Sequence, residues 1–111
     1  MARPGKVRSS NSRLFCTLKI TPSVAYRVYL SDEMKDLGIC YPSPEYKIII
    51  NTNQNEEDIE KVFYHEAVHS MSFEYGLNLT ERQVLGLEEA FFQFLKLNKL
   101  KLIRQKKKRR G

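Results

Sequence analysis

The sequence lacks several features that define whole classes of protein. Its 111 residues contain no tryptophan, few glycines and prolines, and only two cysteines, Cys16 and Cys40, which are too few for a disulfide framework. No apolar run approaches the ~20 residues that a transmembrane helix needs, and the basic start lacks the apolar core of a secretory signal. These absences exclude membrane-spanning, collagenous and disulfide-scaffold classes. We therefore expect no membrane association and a reducing, cytoplasmic compartment.

Charge is distributed unevenly along the chain. The formal net charge is +6, yet residues 14–95 contain six basic and thirteen acidic residues, a net charge of −7. Residues 1–13 carry four basic residues and residues 96–110 carry nine, and neither segment contains an acid. The last basic run consists of Lys106, Lys107, Lys108, Arg109 and Arg110. This run is either a weak nucleic-acid-binding arm or a solvated tail, since no aromatic residue is interleaved to stack on bases.

The first half of the chain has the pattern of short strands. A mixed apolar run at 13–20, and segments rich in β-branched and aromatic residues at 24–30 and 46–50, predict three strands. Residues 31–37 are compatible with one helical turn, which Gly38 would end. So small a domain can hardly cover its sheet, and we expect the strand at 46–50 to offer an exposed edge to an extended peptide.

The second half changes to helical spacing. Asn55 is suited to cap a first helix with an acidic first turn, and Gly76 is suited to end it. Thr80 and Gln83 form a capping box that opens a second helix. Apolar residues recur at helical spacing in both: Ile59, Val62, Phe63, Ala67 and Phe73 in the first, and Val84, Leu87, Phe91, Leu95 and Leu102 in the second.

The order of these elements predicts the domain organisation. Strands followed by two helices indicate one α+β domain over residues 13–98, with a small sheet of about three short strands packed on both helices. A flexible basic leader at 1–12 and a basic tail at 99–111 flank this domain.

The only two histidines of the chain stand in one motif, His65-Glu66-Ala67-Val68-His69. On a helix, His65 and His69 lie one turn apart on the same face, where both imidazoles can bind one divalent ion. Glu66 lies about 100° around the helix, beside the ion, where it can take a proton from a metal-activated water. It also projects to the core-facing side, where burial would raise its pKa. The alternative is that two surface histidines flank an ordinary helix glutamate.

A catalytic zinc site of this kind takes a third protein ligand and leaves one position for water. The candidates are the acidic residues that follow the motif: Glu74, Glu81, Glu88 and Glu89. Glu81 and Glu88 are one heptad apart and both project onto the apolar stripe of the second helix, with Glu89 at its edge. A tight antiparallel hairpin of the helices would bring Glu88 level with the histidines, whereas a splayed pair would bring Glu81 there.

Residues 24–98 resemble the small zinc-peptidase-like proteins of bacteriophages and prophages that are related to the ImmA/IrrE metallopeptidases. The resemblance rests on the His65–His69 motif and on the strand at 46–51 that leads to it. It rests also on the opening of the second helix, residues 76–84 (GLNLTERQV).

This resemblance implies a minimal zincin-like domain that binds one Zn²⁺ ion. In the family pattern the acid that precedes the valine, here Glu81, is the preferred third ligand, while helix geometry keeps Glu88 as its competitor. The resemblance also implies a bacterial host cytosol and a polypeptide substrate such as a phage repressor or another regulatory protein.

We therefore expect a zinc metallopeptidase in which His65, His69 and one glutamate hold the ion and Glu66 is the general base. Two rival classes stay open. One is a catalytically silent, metal-stabilised phage protein that binds nucleic acid or an acidic protein through its basic tails. The other is a basic nucleic-acid-binding protein in which the histidine motif is accidental.

Overall fold

The described part of the chain, residues 12–100 of a computed structural model, contains four strands and two helices. They are β1 (Ser12–Thr21), β2 (Val24–Ser31), β3 (Gly38–Tyr41), β4 (Lys47–Asn51), α1 (Glu56–Tyr75) and α2 (Glu81–Leu97). This confirms the predicted α+β class, with one strand more than expected. The predicted leader and tail lie almost wholly outside the described residues, as do Leu102 and the basic run at 106–110.

The sheet is mixed and has the strand order β1-β2-β4-β3. β2 pairs with β1 antiparallel and with β4 parallel, while β3 pairs with β4 antiparallel. β4 is therefore a central strand, and the expectation that residues 46–50 offer a free edge is wrong. Ile48 and Ile50 of β4 are almost wholly buried, as a strand with two neighbours requires. Within residues 12–100, the sheet edge on this side is β3.

The chain between β2 and β3 bends and does not form the predicted helical turn. Asn51, at the end of β4, donates from Nδ2 to the carbonyl oxygens of Met34 and Asp36, both at 3.1 Å. These bonds satisfy carbonyl groups that a helix would have paired along its own axis. Gly38 consequently begins a strand, and its lack of a side chain lets β3 lie directly against α1. A Cβ atom at Gly38 would stand 2.5 Å from Cγ1 of Val62.

Both helices have the termini that the local signals predict. Oδ1 of Asn55 accepts a hydrogen bond from the backbone N–H of Asp58 at 2.8 Å. Gly76 ends α1 in the left-handed region, with φ of +62°. Thr80 and Gln83 form the reciprocal capping box, with distances of 3.1 and 2.8 Å. Neither described helix is long and apolar enough to cross a bilayer.

The core joins the sheet to both helices through the side chains of Tyr26, Val28, Ile48, Ile50, Phe63, Tyr64, Phe92 and Leu95. The predicted stripe of α2 is partly wrong. Val84 and Leu95 are buried, but Leu87 and Phe91 are 37% and 38% exposed, and Phe92 is buried instead. Both sets of positions have helical spacing, so the packing of α2 on α1 decides which of them is covered.

Candidate metal centre

Three side chains from the two helices converge at one point. His65 and His69 of α1 and Glu81 of α2 place ligand atoms within 4.8 Å of one another. Nε2 of His65 is 3.0 Å from Oε2 of Glu81, and Nε2 of His69 is 3.1 Å from Oε1 of the same carboxylate. The two rings meet edge to face with centroids 4.9 Å apart, as their one-turn separation allows. This group could hold a metal ion.

The separations fit a small divalent ion. In a tetrahedral site with bonds of about 2.0–2.1 Å, neighbouring ligand atoms lie about 3.3 Å apart. The two nitrogen–oxygen distances of 3.0 and 3.1 Å are close to that value. Two imidazole nitrogens with one carboxylate oxygen are a donor set of catalytic zinc sites, which leave a fourth position for water. Other divalent ions of the first transition row accept the same donors.

Glu88 contacts the opposite nitrogen of His65. Its Oε1 lies 2.9 Å from Nδ1, and its side chain is only 17% exposed. An ionised carboxylate accepts and does not donate, so this contact favours a proton on Nδ1, and Nε2 is the nitrogen that would bind a metal ion. Glu81 and Glu88, the two competing candidates for the third ligand, thus contact His65 from opposite edges of the ring.

The other two candidate glutamates lie elsewhere. Oε1 of Glu89 is 3.1 Å from Nζ of Lys61, and its Oε2 accepts a hydrogen bond from Nε2 of Gln93 at 3.0 Å. Glu74 accepts a hydrogen bond from the hydroxyl of Tyr26 at 2.6 Å. Neither belongs to the group that could hold a metal.

Glu66 is buried beside the histidines and is only 7% exposed. No hydrogen bond or ion pair to its carboxylate exists within residues 12–100. Burial raises its pKa to about 7, the charge of His65 opposes this shift, and the charges of Glu81 and Glu88 add to it. The burial and the direction of the pKa shift that the sequence predicted are confirmed. A carboxyl with this pKa can accept a proton near neutral pH.

Two cavities meet at the site, and four residues line both of them: Gly38, His65, Glu66 and Glu81. We call the first, of about 390 Å³, the acidic cavity; its other lining residues are Asp36, Leu37, Val62, Leu85 and Glu88. We call the second, of about 310 Å³, the apolar cavity; it is lined further by Ile39, Cys40, His69 and Phe73. The candidate site therefore adjoins both cavities through His65, Glu66 and Glu81.

The contributions of β3 and Phe73 to the site were missed from the sequence. Phe73 was expected in the core, but it is 50% exposed and its ring stacks on His69 with centroids 6.2 Å apart. Ile39 and Cys40 belong to a four-residue strand, which is too short to carry a recognisable period. Two nearby hydroxyls are engaged elsewhere: Tyr64 donates to Glu60, and Tyr75 donates to the carbonyl of Ile20.

Comparison of the chain with family models, with curated proteins and with solved structures finds no match. The resemblance to the phage metallopeptidases therefore stays a prediction. The candidate metal centre rests on its own geometry.

Proposed function

We propose that the protein is a zinc-dependent peptidase in which His65, His69 and Glu81 are the ligands and Glu66 is the general base. One observation carries the proposal: two imidazoles and a carboxylate converge on one point, and a buried carboxyl without a partner in the described structure lies beside it. Burial of such a group costs free energy unless something in the site compensates for it. A reacting water provides that compensation.

The chain's own groups account for the proton transfers of peptide hydrolysis. Zinc, when bound, polarises a peptide carbonyl and lowers the pKa of water toward about 7. Glu66 takes a proton from a water molecule as the water oxygen bonds to the carbonyl carbon. Glu66 then gives this proton to the amide nitrogen as the carbon–nitrogen bond breaks. In the metal-free chain burial raises the pKa of Glu66 to about 7, and the charge of a bound zinc ion would lower it and favour the ionised form that accepts the proton.

Glu88 has a supporting role in this proposal. It accepts the Nδ1 proton of His65, which fixes the ring orientation and makes Nε2 a better ligand. Glu81 is the better third ligand because its two oxygens lie near Nε2 of both histidines, whereas Glu88 contacts only Nδ1 of one.

The outer edge of β3 is where the backbone of an extended substrate would pair with the sheet. This strand pairs only with β4 within the described residues, and its Gly38 lies against Glu66. An extended peptide that paired with the outer edge of β3 would pass over the convergent ligands. The proposed peptide-binding edge is therefore Gly38–Tyr41 rather than the strand at 46–50.

The decisive experiment compares wild-type protein with Glu66→Gln and His65→Ala. We expect one zinc per chain in the wild type and in Glu66→Gln, and less than one tenth of that in His65→Ala. A mixed peptide library incubated with the zinc-loaded proteins should be cleaved by the wild type, while Glu66→Gln should be slower by at least about a hundredfold.

Two other results would contradict the proposal. Full zinc content in His65→Ala would exclude the assigned ligands. Zinc binding without cleavage in the wild type would instead favour the metal-stabilised binding protein, whose basic tails lie outside the described residues.

A further inference from the structure

The acidic cavity carries more negative charge than the proposed metal site needs. Four carboxylates line it, from Asp36, Glu66, Glu81 and Glu88, and no lysine or arginine of the described chain does. Lys35 and Arg82 are adjacent in sequence to Asp36 and Glu81, but neither lines the cavity. Lys61 on α1 does not line it either and is paired with Glu89 at 3.1 Å. A divalent ion on Glu81 and the histidines would offset only two of these charges.

The remaining carboxylates are short of partners. Glu66 is 7% exposed and faces the cavity without a hydrogen bond or ion pair in residues 12–100. Glu88 uses Oε1 for His65, and no partner of its Oε2 is found in the same part of the chain. The side chain of Asp36 is exposed and makes no hydrogen bond or ion pair within the described residues. Unpaired carboxylates in a concave site favour a cationic occupant.

The walls of the cavity indicate the shape of that cation. Leu37 and Leu85 line it and are 61% and 50% exposed, and Val62 lines it as well. Within residues 12–100, the one group that could hold a bare ion is His65, His69 and Glu81, which does not include Asp36. A cavity lined by both apolar side chains and carboxylates matches a cationic head on an alkyl stem.

We propose that the acidic cavity binds the lysine or arginine side chain of a peptide substrate, next to the bond that is cleaved. The inference rests on the proposed peptidase function and adds its substrate class, peptides with a basic residue beside the scissile bond. The alkyl stem would pack on Leu37 and Leu85. The ammonium or guanidinium group would lie between Asp36 and the free oxygen of Glu88.

The test uses peptide hydroxamates, whose hydroxamate group binds zinc, so that binding can be measured without turnover. Two matched pairs are compared on zinc-loaded protein by calorimetry, with lysine or uncharged norleucine on either side of the hydroxamate. We expect the lysine probe of one pair to bind about tenfold more tightly than its norleucine partner, since hydrogen bonds to charged groups are strong. Added salt should reduce that ratio.

Two charge-matched variants test whether the preference for lysine over norleucine depends on Asp36. Asp36→Asn should bring the lysine-to-norleucine ratio to within about twofold. Asp32→Asn removes the same charge from the same bend but outside the cavity, and should leave the ratio unchanged.

The outcomes separate this inference from the proposed function. Equal binding of lysine and norleucine in both pairs, or a ratio that Asp36→Asn leaves intact, overturns the basic subsite even if the protein cleaves peptides. A lysine preference that depends on Asp36 supports the subsite, even if no peptide is cleaved and the peptidase proposal fails.

Discussion

Nδ1 of His65 lies 2.9 Å from Oε1 of Glu88, so a residue of α2 fixes the ring of a candidate ligand on α1. The same helix supplies Glu81, seven residues earlier, whose carboxylate faces the other nitrogen of that ring. Residues seven apart lie two turns apart on one helix face. α2 therefore supplies one candidate ligand, Glu81, and orients another, His65, through Glu88. The two roles can be tested separately.

Removing the Glu88 carboxylate should weaken zinc binding without abolishing it. In Glu88→Ala, His65 keeps its position on α1 but loses the acceptor that selects its tautomer. Loss of such a supporting contact lowers metal affinity by about 10- to 100-fold. Competition with a chromophoric chelator measures the change. The matched control is Glu89→Ala, which removes the neighbouring carboxylate, one that is paired with Lys61 outside the site. Equal effects of both variants would mean that Glu88 acts only through surface charge.

A side chain at Gly38 should destabilise the fold at the site. The Cβ atom of Gly38→Ala would stand 2.5 Å from Cγ1 of Val62 and 3.1 Å from Oε2 of Glu66, so β3 or the helix must move. Overpacking of this kind costs about 1–3 kcal/mol. Urea denaturation gives the free energy of unfolding. The control is Gly86→Ala on α2, where a Cβ meets nothing within 4 Å, and which should be stabilising by about 0.5–1 kcal/mol. If Gly38→Ala leaves the free energy of unfolding unchanged, β3 does not pack closely on α1.

Much of the candidate site could be predicted because its signals are local. The spacing of His65 and His69 requires only a helix, and the caps at Asn55 and Thr80 mark where the two helices begin. The burial of Glu66 followed from its place on the helical wheel. Each of these inferences needs residues no more than a few turns apart.

What could not be predicted depends on contacts between distant segments. Whether Glu81 or Glu88 faces Nε2 of His65 is decided by the crossing of α1 and α2, and both residues have the same periodicity. The bend before β3 is held by Asn51, from the far end of β4. A four-residue strand that begins with Gly38 has no period of its own, so the sequence pattern predicts the wrong strand as the edge beside the candidate metal centre.

Cys40 should react slowly with alkylating reagents in the folded protein. Burial, with the charges of Glu66 and Glu74, raises the pKa of its thiol to about 12. The reacting species is the thiolate, so at pH 8 the rate with iodoacetamide should be about a thousandfold below that of a free cysteine. The measurement uses a Cys16→Ser background and mass spectrometry, with the urea-unfolded chain as the reference. A folded rate within tenfold of the unfolded rate would contradict the raised pKa of this thiol, which is partly buried in the wall of the apolar cavity.

The stability of the metal-free protein should depend on pH through Glu66. Its pKa is raised from 4.5 to about 7 in the fold, chiefly because the carboxyl is buried. The folded chain therefore holds this proton more tightly than the unfolded chain does. The stabilising contribution is fully present below about pH 4.5 and is lost as the pH rises through about 7. A shift of this size corresponds to a contribution on the order of 3 kcal/mol.

Glu66→Gln isolates that contribution, because its side chain has the same shape and does not titrate. With a chelator present, urea denaturation at pH 5, 6, 7 and 8 should show the wild type losing stability relative to Glu66→Gln as the pH rises. Other carboxyl groups titrate in both proteins, and their effects cancel in the difference between the two curves. Parallel curves would mean that Glu66 is solvated or paired in solution, and the carboxyl proposed as the general base would then lack the buried setting that raises its pKa.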